Sequence, residues 1–495
     1  MSATYVDLDS YLIDEKLIEL VPESLARRYQ LVPLFKIGST LTVAMADPHN
    51  IFALDEVRLK TGCEVEAVVS TDIQIKTSIN RYYKVGNSIK DVIKGFTEEG
   101  SKPLGVEEAP AIKLLNLIMT QAIRDGASDI HLEPDENSLR TRYRIDGVLH
   151  EVSSVPKDFQ SAIISRVKVM GSMNISESRA PQDGRSNIKM EGKDIELRIS
   201  TFPTIYGENL VLRILDQSSA SMGLEDLGFS REVLREYEAL IKRPHGIILI
   251  TGPTGSGKTT TLYASLNTIN STEKNIITIE DPVEYRLNLI RQTQINPKAG
   301  ITFATAIKSI LRQDPDIIMV GEIRDLETAE TAIRAASTGH LVFSTLHTND
   351  APGALTRLMD MGVQPYLTSS SVEGVLAQRL VRTICPKCKE SYPPEEQEVK
   401  DLAITRTEDL VFYRGKGCKN CRQTGYKGRI ALFEFLVVND PVRDLILQRA
   451  SSKMIRGAAR ETRGMKTLLE DGIDKVLKGI TTIDEVTRAT FGDEL

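Results

Sequence analysis

The chain has 495 residues, 41% of them hydrophobic and 26% charged, too long for one ordinary core and suited to about two to four domains of a soluble globular protein. No segment approaches the roughly 18 consecutive apolar residues of a membrane-spanning helix, and the start, MSATYVDLDSYLIDEK, is acidic and lacks the basic leader and apolar stretch of a secretory signal. Lys and Arg number 62 against 68 Asp and Glu, for a formal net charge of -6; this argues against nucleic acid as the main partner, because phosphate binding leaves a basic excess.

Residues 1–82 alternate short helical and strand-like patterns: LIDEKLIELVPESLARRY has helical spacing, and LTVAMADP reads as a strand ending in a turn. Residues 83–108 are polar with scattered glycines and a proline, the composition of a flexible linker. From APAIKLLNLIMTQAIRDGASD an apolar 3.6 period predicts a helix. IHLEP, LRTRYRID, GVLHEV, SNIKM, DIELRISTFP and NLVLRILD follow. Such short alternating segments predict an antiparallel sheet packed on one or two helices, an α+β domain over 109–220. Over 221–495 strands and helices alternate, the pattern of an α/β domain with a parallel sheet and crossover helices.

GIILITGPTGSGKTTTLYA opens that last domain. An apolar strand precedes the turn and an amphipathic helix follows it, the setting that makes GxxxxGK followed by Ser or Thr a P-loop. In the loop Gly252, Pro253, Thr254, Gly255, Ser256 and Gly257, the glycines let successive backbone N–H groups turn inward around a phosphate, at a helix end that carries partial positive charge. Lys258 supplies a point charge for the β and γ oxygens, the Thr259 hydroxyl a ligand for Mg²⁺, and Thr260 begins the helix. The expected ligand is ATP.

The remaining site must come from strands that end beside this loop. NIITIEDPVEY ends in Glu280, Asp281 and Glu284, and DPDIIMVGEIRD ends in Glu322. The position where such a strand usually offers an aspartate to the metal is Gly321. Two assignments are open: Glu322 serves the magnesium, or Glu322 orients the attacking water while Glu280 serves the metal. HLVFSTLHTND carries His340 and His347 with Thr345 and Thr348; for His347, sensing of the γ-phosphate is favoured over a general-base role.

Five cysteines are present. Cys63 stands alone and reads as a small buried apolar residue. CPKC supplies Cys385 and Cys388, and CKNC supplies Cys418 and Cys421. Two CxxC pairs can close a tetrahedral shell on Zn²⁺, structural because no position stays open, whereas a redox dithiol needs only one pair. Lys387, Lys389, Lys416 and Lys419 would offset the thiolate charge. The zinc subdomain is expected at about 383–424, with a charged, proline-containing insertion between the pairs as a candidate contact for a membrane-platform protein.

GPTGSGKTTTLY, TIEDPVEY, LRQDPDIIMVGEIRD and STGHLVFSTLHTND resemble, in order, the Walker A motif, aspartate box, Walker B motif and histidine box of the secretion ATPases. Gly321 matches that family. ASDIHLEP, RYRIDGVLHEV and RAPQDGR similarly resemble its PAS-like domain. The resemblance implies a RecA-like motor, a homohexamer peripheral to the cytoplasmic face of the bacterial inner membrane. It also implies that hydrolysis drives secretion or pilus assembly. The length, the single amino-terminal module and the four-cysteine insertion are most similar to the type II secretion branch, with pseudopilus assembly as its output; the pilus-assembly (extension) branch comes next. The implied partners are the cytoplasmic domain of a secretion-platform protein, bound by residues 1–82, and a polytopic platform protein. YVDLDSYLIDEKLIELVPESLARRYQLVPL also resembles the second half of a domain that binds cyclic di-GMP. The first half of that motif is absent, so docking of a partner fits better. The resemblance further implies that Arg198 and Arg213 face the nucleotide when the PAS-like domain closes, and that Arg312, Arg324 and Arg357 lie near the site or a subunit contact. Lys308 stands where some relatives carry arginine. A cation delivered to the γ-phosphate is worth roughly 10³–10⁵ in rate.

Overall fold

The computed structural model describes residues 5–6, 8, 17, 20–83, 108–216, 222–393 and 410–491. The linker expected at 83–108 lies almost wholly outside these residues, as does much of the insertion between the cysteine pairs. Two compact units emerge: Met1–Asp216 with Lys416–Gly425, and Gln217–Gly415 with Tyr426–Leu495.

In the first unit a three-stranded sheet is formed by β1 (Leu31–Ile37), β2 (Thr40–Met45) and β3 (Glu64–Val69). β1 and β2 are antiparallel. β2 and β3 are parallel, so their connection must cross over, and helix Ile51–Thr61 makes that crossing. The Asn50 side chain accepts from the Ala53 N–H to start this helix, and Gly62 ends it in the left-handed region. Cys63 is buried in this core with Leu31, Val43, Val57 and Ile75, as a small apolar residue would be.

Farther along, β4 (Ala127–Pro134), β5 (Ser138–Ile145), β6 (Val148–Pro156), β7 (Gln182–Met190), β8 (Lys193–Thr204) and β9 (Gly207–Asp216) form one sheet in the order β6-β5-β4-β9-β8-β7. Every neighbouring pair is antiparallel. Side chains alternate between faces. Leu197, Ile199, Leu210 and Leu212 point into a core shared with helices Glu108–Arg124 and Gln160–Met170, which leaves Arg198 and Arg213 on the opposite face.

The second unit is built on β10 (Gly246–Thr251), β11 (Ile276–Glu280), β12 (Arg291–Gln294), β13 (Ile317–Val320), β14 (Leu341–Leu346), β15 (Val372–Ile384) and β18 (Tyr426–Val437). The order is β12-β11-β13-β14-β10-β15-β18, parallel throughout except for β15 against β18. Crossover helices cover both faces, so β10, β11, β13 and β14 are buried along their whole length. Along β10, Ile247 and Leu249 enter one core while Ile248 and Ile250 enter the other. The short pair β16 (Lys389–Tyr392) and β17 (Phe412–Gly415) lies between the cysteine pairs in sequence. Helices Asp440–Leu447, Ser452–Arg463, Leu468–Leu477 and Ile483–Phe491 follow β18. Among the described residues no helix is long and apolar enough to cross a membrane.

Candidate nucleotide site and cysteine cluster

The parallel order sets the C-terminal ends of β10, β11, β13 and β14 side by side, where open α/β sheets bind ligands. After β10 the loop 252–257 leads into helix Lys258–Ile269. Gly257 caps that helix with φ +89°, and a Cβ at Gly252 would lie 2.5 Å from the Gln378 carbonyl oxygen. The loop therefore needs glycine at both places. Gln378, buried on β15, braces it from below: its Nε2 donates to the Ser256 carbonyl at 2.7 Å and its Oε1 accepts from the Thr261 hydroxyl at 2.9 Å. Ser256 Oγ is buried with no partner among the described residues. Lys258 Nζ donates to the carbonyls of Gly252 (2.7 Å) and Pro253 (3.0 Å). Burial pushes its pKa down to about 8, with Glu322 opposing the fall and Arg379 adding to it.

The two leading carboxylates have different surroundings. Glu280 is buried at the end of β11. The Tyr263 hydroxyl donates to its Oε2; the Thr278 hydroxyl (2.6 Å) and Gln292 Nε2 (3.1 Å) donate to its Oε1. Burial raises its pKa against these donors. Tyr263 also accepts the Glu284 N–H at 3.2 Å, so one hydroxyl on the P-loop helix ties down the whole EDPVE turn. Glu322 instead acts on Lys258, pairs with Arg324, and lies 3.5 Å from His347 Nε2. Arg324 also reaches Asp281 at 3.8 Å. Immediately before Glu322, a Cβ at Gly321 would press to 3.3 Å from the Ile279 carbonyl oxygen and 3.4 Å from Glu280 Cα, so the backbones approach closely there.

The threonines around β14 fasten the loops. Thr345 donates to the Gly321 carbonyl at 2.7 Å, and the Thr348 N–H donates to the Thr251 hydroxyl at 2.9 Å. His340 lies before β14 and His347 just after it, at opposite ends of the strand. His340 Nδ1 lies 2.9 Å from the Ala335 carbonyl, in a helix-end contact. Arg312 is exposed and folds back on the Lys308 carbonyl at 2.9 Å, and Arg357 is exposed on helix Ala351–Asp360.

Arg198 and Arg213 belong to the other unit, directly opposite each other on β8 and β9. Register adds Arg185 on β7 opposite Arg198, and Asp129 on β4 opposite Arg213. Asp129 accepts from Arg213 Nε at 3.0 Å. The three arginines line a cleft of about 420 Å³. Arg185, Gln378 and Arg379 were missed in the sequence; the strand register would have marked the first, whereas only the fold marks the others.

The sulfur atoms of Cys385, Cys388, Cys418 and Cys421 all lie within 4.8 Å of one another, with Cys418 and Cys421 3.7 Å apart, and no disulfide joins them.

A family model described as type II/IV secretion system protein matches residues 105–488. The chain belongs to that family. A second model, the MshEN domain, matches residues 1–88. The type IV pilus assembly ATPase PilB of Myxococcus xanthus is 43% identical over 504 residues, which is 99% of this chain and 89% of that protein. The type II secretion system protein E of Aeromonas hydrophila is 49% identical over 503 residues, 98% and 99% of the two chains. A crystal structure of the pilus retraction motor PilT with ADP is similar at a TM-score of 0.51 and 28% identity, covering 75% of this chain and 96% of that one. With its P-loop in place, this member of the secretion family is an ATPase.

Proposed function

We propose that this chain is the ATPase of a type II secretion system, a cytoplasmic homohexamer peripheral to the bacterial inner membrane that couples ATP hydrolysis to pseudopilus assembly. The observation that carries this reading is the end-to-end match with a type II secretion system protein E, 98% of one chain against 99% of the other.

At the site, Lys258 leaves its two carbonyls for the β and γ oxygens of ATP, with the N–H groups of Thr254, Gly255, Ser256, Gly257 and Thr260 around them. The Thr259 hydroxyl would hold Mg²⁺, which screens the phosphate charge. Glu322 orients the attacking water and takes its proton as the water oxygen bonds to the γ phosphorus and the bridging oxygen leaves with ADP. Glu280 has donors on both oxygens and acts from behind, with Glu284, by fixing the turn. His347, touching Glu322, senses the γ-phosphate. Arg198 and Arg213 supply positive charge when the PAS-like domain over 109–220 closes, while Arg312, Arg324 and Arg357 serve the site or a subunit contact. Loss of the γ-phosphate removes that attraction and appears as domain rotation.

The four cysteines hold structural Zn²⁺. Four Zn–S bonds of about 2.3 Å set sulfurs about 3.8 Å apart in a tetrahedron, close to the 3.7 Å of Cys418 and Cys421. The amino-terminal domain, residues 1–82 ahead of a flexible linker, docks the cytoplasmic domain of a platform protein, and the motor works on a polytopic partner. Nucleic acid is no partner in this reading, in keeping with the net charge of -6. A second reading, a type IV pilus assembly ATPase, is favoured by the match to the Myxococcus xanthus protein over 99% of this chain. Co-precipitation with the cytoplasmic domains of secretion and pilus platforms decides between them: retention by the secretion platform is expected, and retention by the pilus platform alone overturns the first reading.

A further inference from the structure

Arg379 follows Gln378 on β15 and is half-buried. Its Nη1 donates to the Gln378 carbonyl at 3.1 Å, the same oxygen against which Gly252 is packed too closely for a side chain. Its Nη2 donates to the Asn349 carbonyl (3.1 Å) and Oδ1 (3.2 Å), one residue beyond the Thr348 that is fastened to Thr251. The guanidinium is thus tethered between the β15 carbonyl that packs against Gly252 and the loop that leaves β14. A guanidinium carries five N–H donors, so Nε–H and one hydrogen of Nη1 have no acceptor among the described residues.

A charge taken partly out of water needs a counter-charge. Arg382, on the same strand, has one in Glu485, at 2.7 Å. Arg379 does not: among the described residues no carboxylate comes within ion-pair distance. The two that act on it electrostatically are engaged elsewhere, Asp350 by Arg456 and the Gly353 N–H, and Glu434 by the Ala351 N–H. Arg379 and Lys258 moreover oppose each other as like charges. Two cations held at the mouth of a loop built to present N–H groups form a receptor for a polyanion. On this basis we infer that Arg379 binds the terminal phosphate of ATP directly, as a second cation beside Lys258 supplied by the same chain. The tether to Asn349 joins it to the loop that carries His347, and Nε–H with the remaining Nη1 hydrogen offers two donors to phosphate oxygens.

This inference rests on the ATP site proposed above, and its test keeps the two apart. ADP and a non-hydrolysable ATP analogue are titrated against the full chain and against Arg379→Gln, Arg379→Lys and Lys258→Ala, with kcat, KM and Tm measured in parallel. Arg379→Gln should weaken the ATP analogue by about tenfold or more, as loss of a charge-assisted bond does, leave ADP within about twofold, and lower kcat; Arg379→Lys should recover part of the loss. Unchanged analogue binding and kcat in Arg379→Gln, with Lys258→Ala impaired, overturns the role of Arg379 alone. Equal loss of ADP and analogue together with a lowered Tm also overturns it, by making the residue a structural tether. Failure of the parent chain to bind either nucleotide overturns the ATP site itself.

Discussion

Lys258 makes nucleotide binding sensitive to pH. Its pKa of about 8 follows first from burial, with Glu322 pulling it up and Arg379 pushing it down. A bound triphosphate favours the protonated form, so the lysine's pKa rises in the complex. Below pH 8 the ammonium is already charged and binding takes up no proton. Above pH 8 each binding event must take one up, and affinity falls by as much as about tenfold per pH unit. Titration of a non-hydrolysable ATP analogue from pH 7 to about 9.5 should therefore show a flat region and then a decline; a line flat throughout would remove the lysine from phosphate binding.

Between elements, the division of labour among the carboxylates is the feature sequence could not supply. TIEDPVEY and DPDIIMVGEIRD both read as apolar strands ending in acid; the first does end at Glu280, whereas the second stops at Val320, two residues before Glu322. What separates them is the side chain of Tyr263, contributed by the P-loop helix, and that of Gln292 on β12, neither of which any local pattern connects with Glu280. Likewise Gln378 reaches Ser256 across 122 positions of chain, a contact that only the parallel pairing of β10 with β15 creates. The P-loop, the apolar strands and the CxxC pairs were legible because their chemistry is written in adjacent residues; long-range bracing was not. Tyr263→Phe leaves the Glu280 carboxylate short of a buried donor, which should cost about 1–3 kcal/mol of stability, whereas Glu322→Gln should leave Tm near that of the parent and abolish turnover while ATP still binds. Thermal melts and single-turnover assays on the pair check this, and the reverse pattern would exchange the roles of the two acids.

For the whole molecule, the cysteine cluster is the feature most readily removed. Binding of a structural ion to four thiolates is itself folding free energy, so protein purified without chelator should contain one Zn²⁺ per chain. Cys385→Ser or prolonged chelation should lower Tm and expose the carboxyl region to protease while the P-loop sequence is untouched. Elemental analysis showing no zinc would return the two pairs to redox chemistry. The two larger sheets were legible: alternating segments became the six-stranded antiparallel sheet, and strand–helix alternation became the parallel one. The antiparallel closure of that second sheet by β18 was not, because GYKGRIALFEFLVV carries the same apolar run as its parallel neighbours.

Gly321 carries a consequence for the metal. A Cβ there would lie 3.3 Å from the Ile279 carbonyl oxygen, so β11 crowds any carboxylate at that position, and Glu280 is engaged by its own donors. Magnesium would then depend on the Thr259 hydroxyl and the nucleotide's own phosphates for its ligands, and is expected to arrive with each incoming nucleotide.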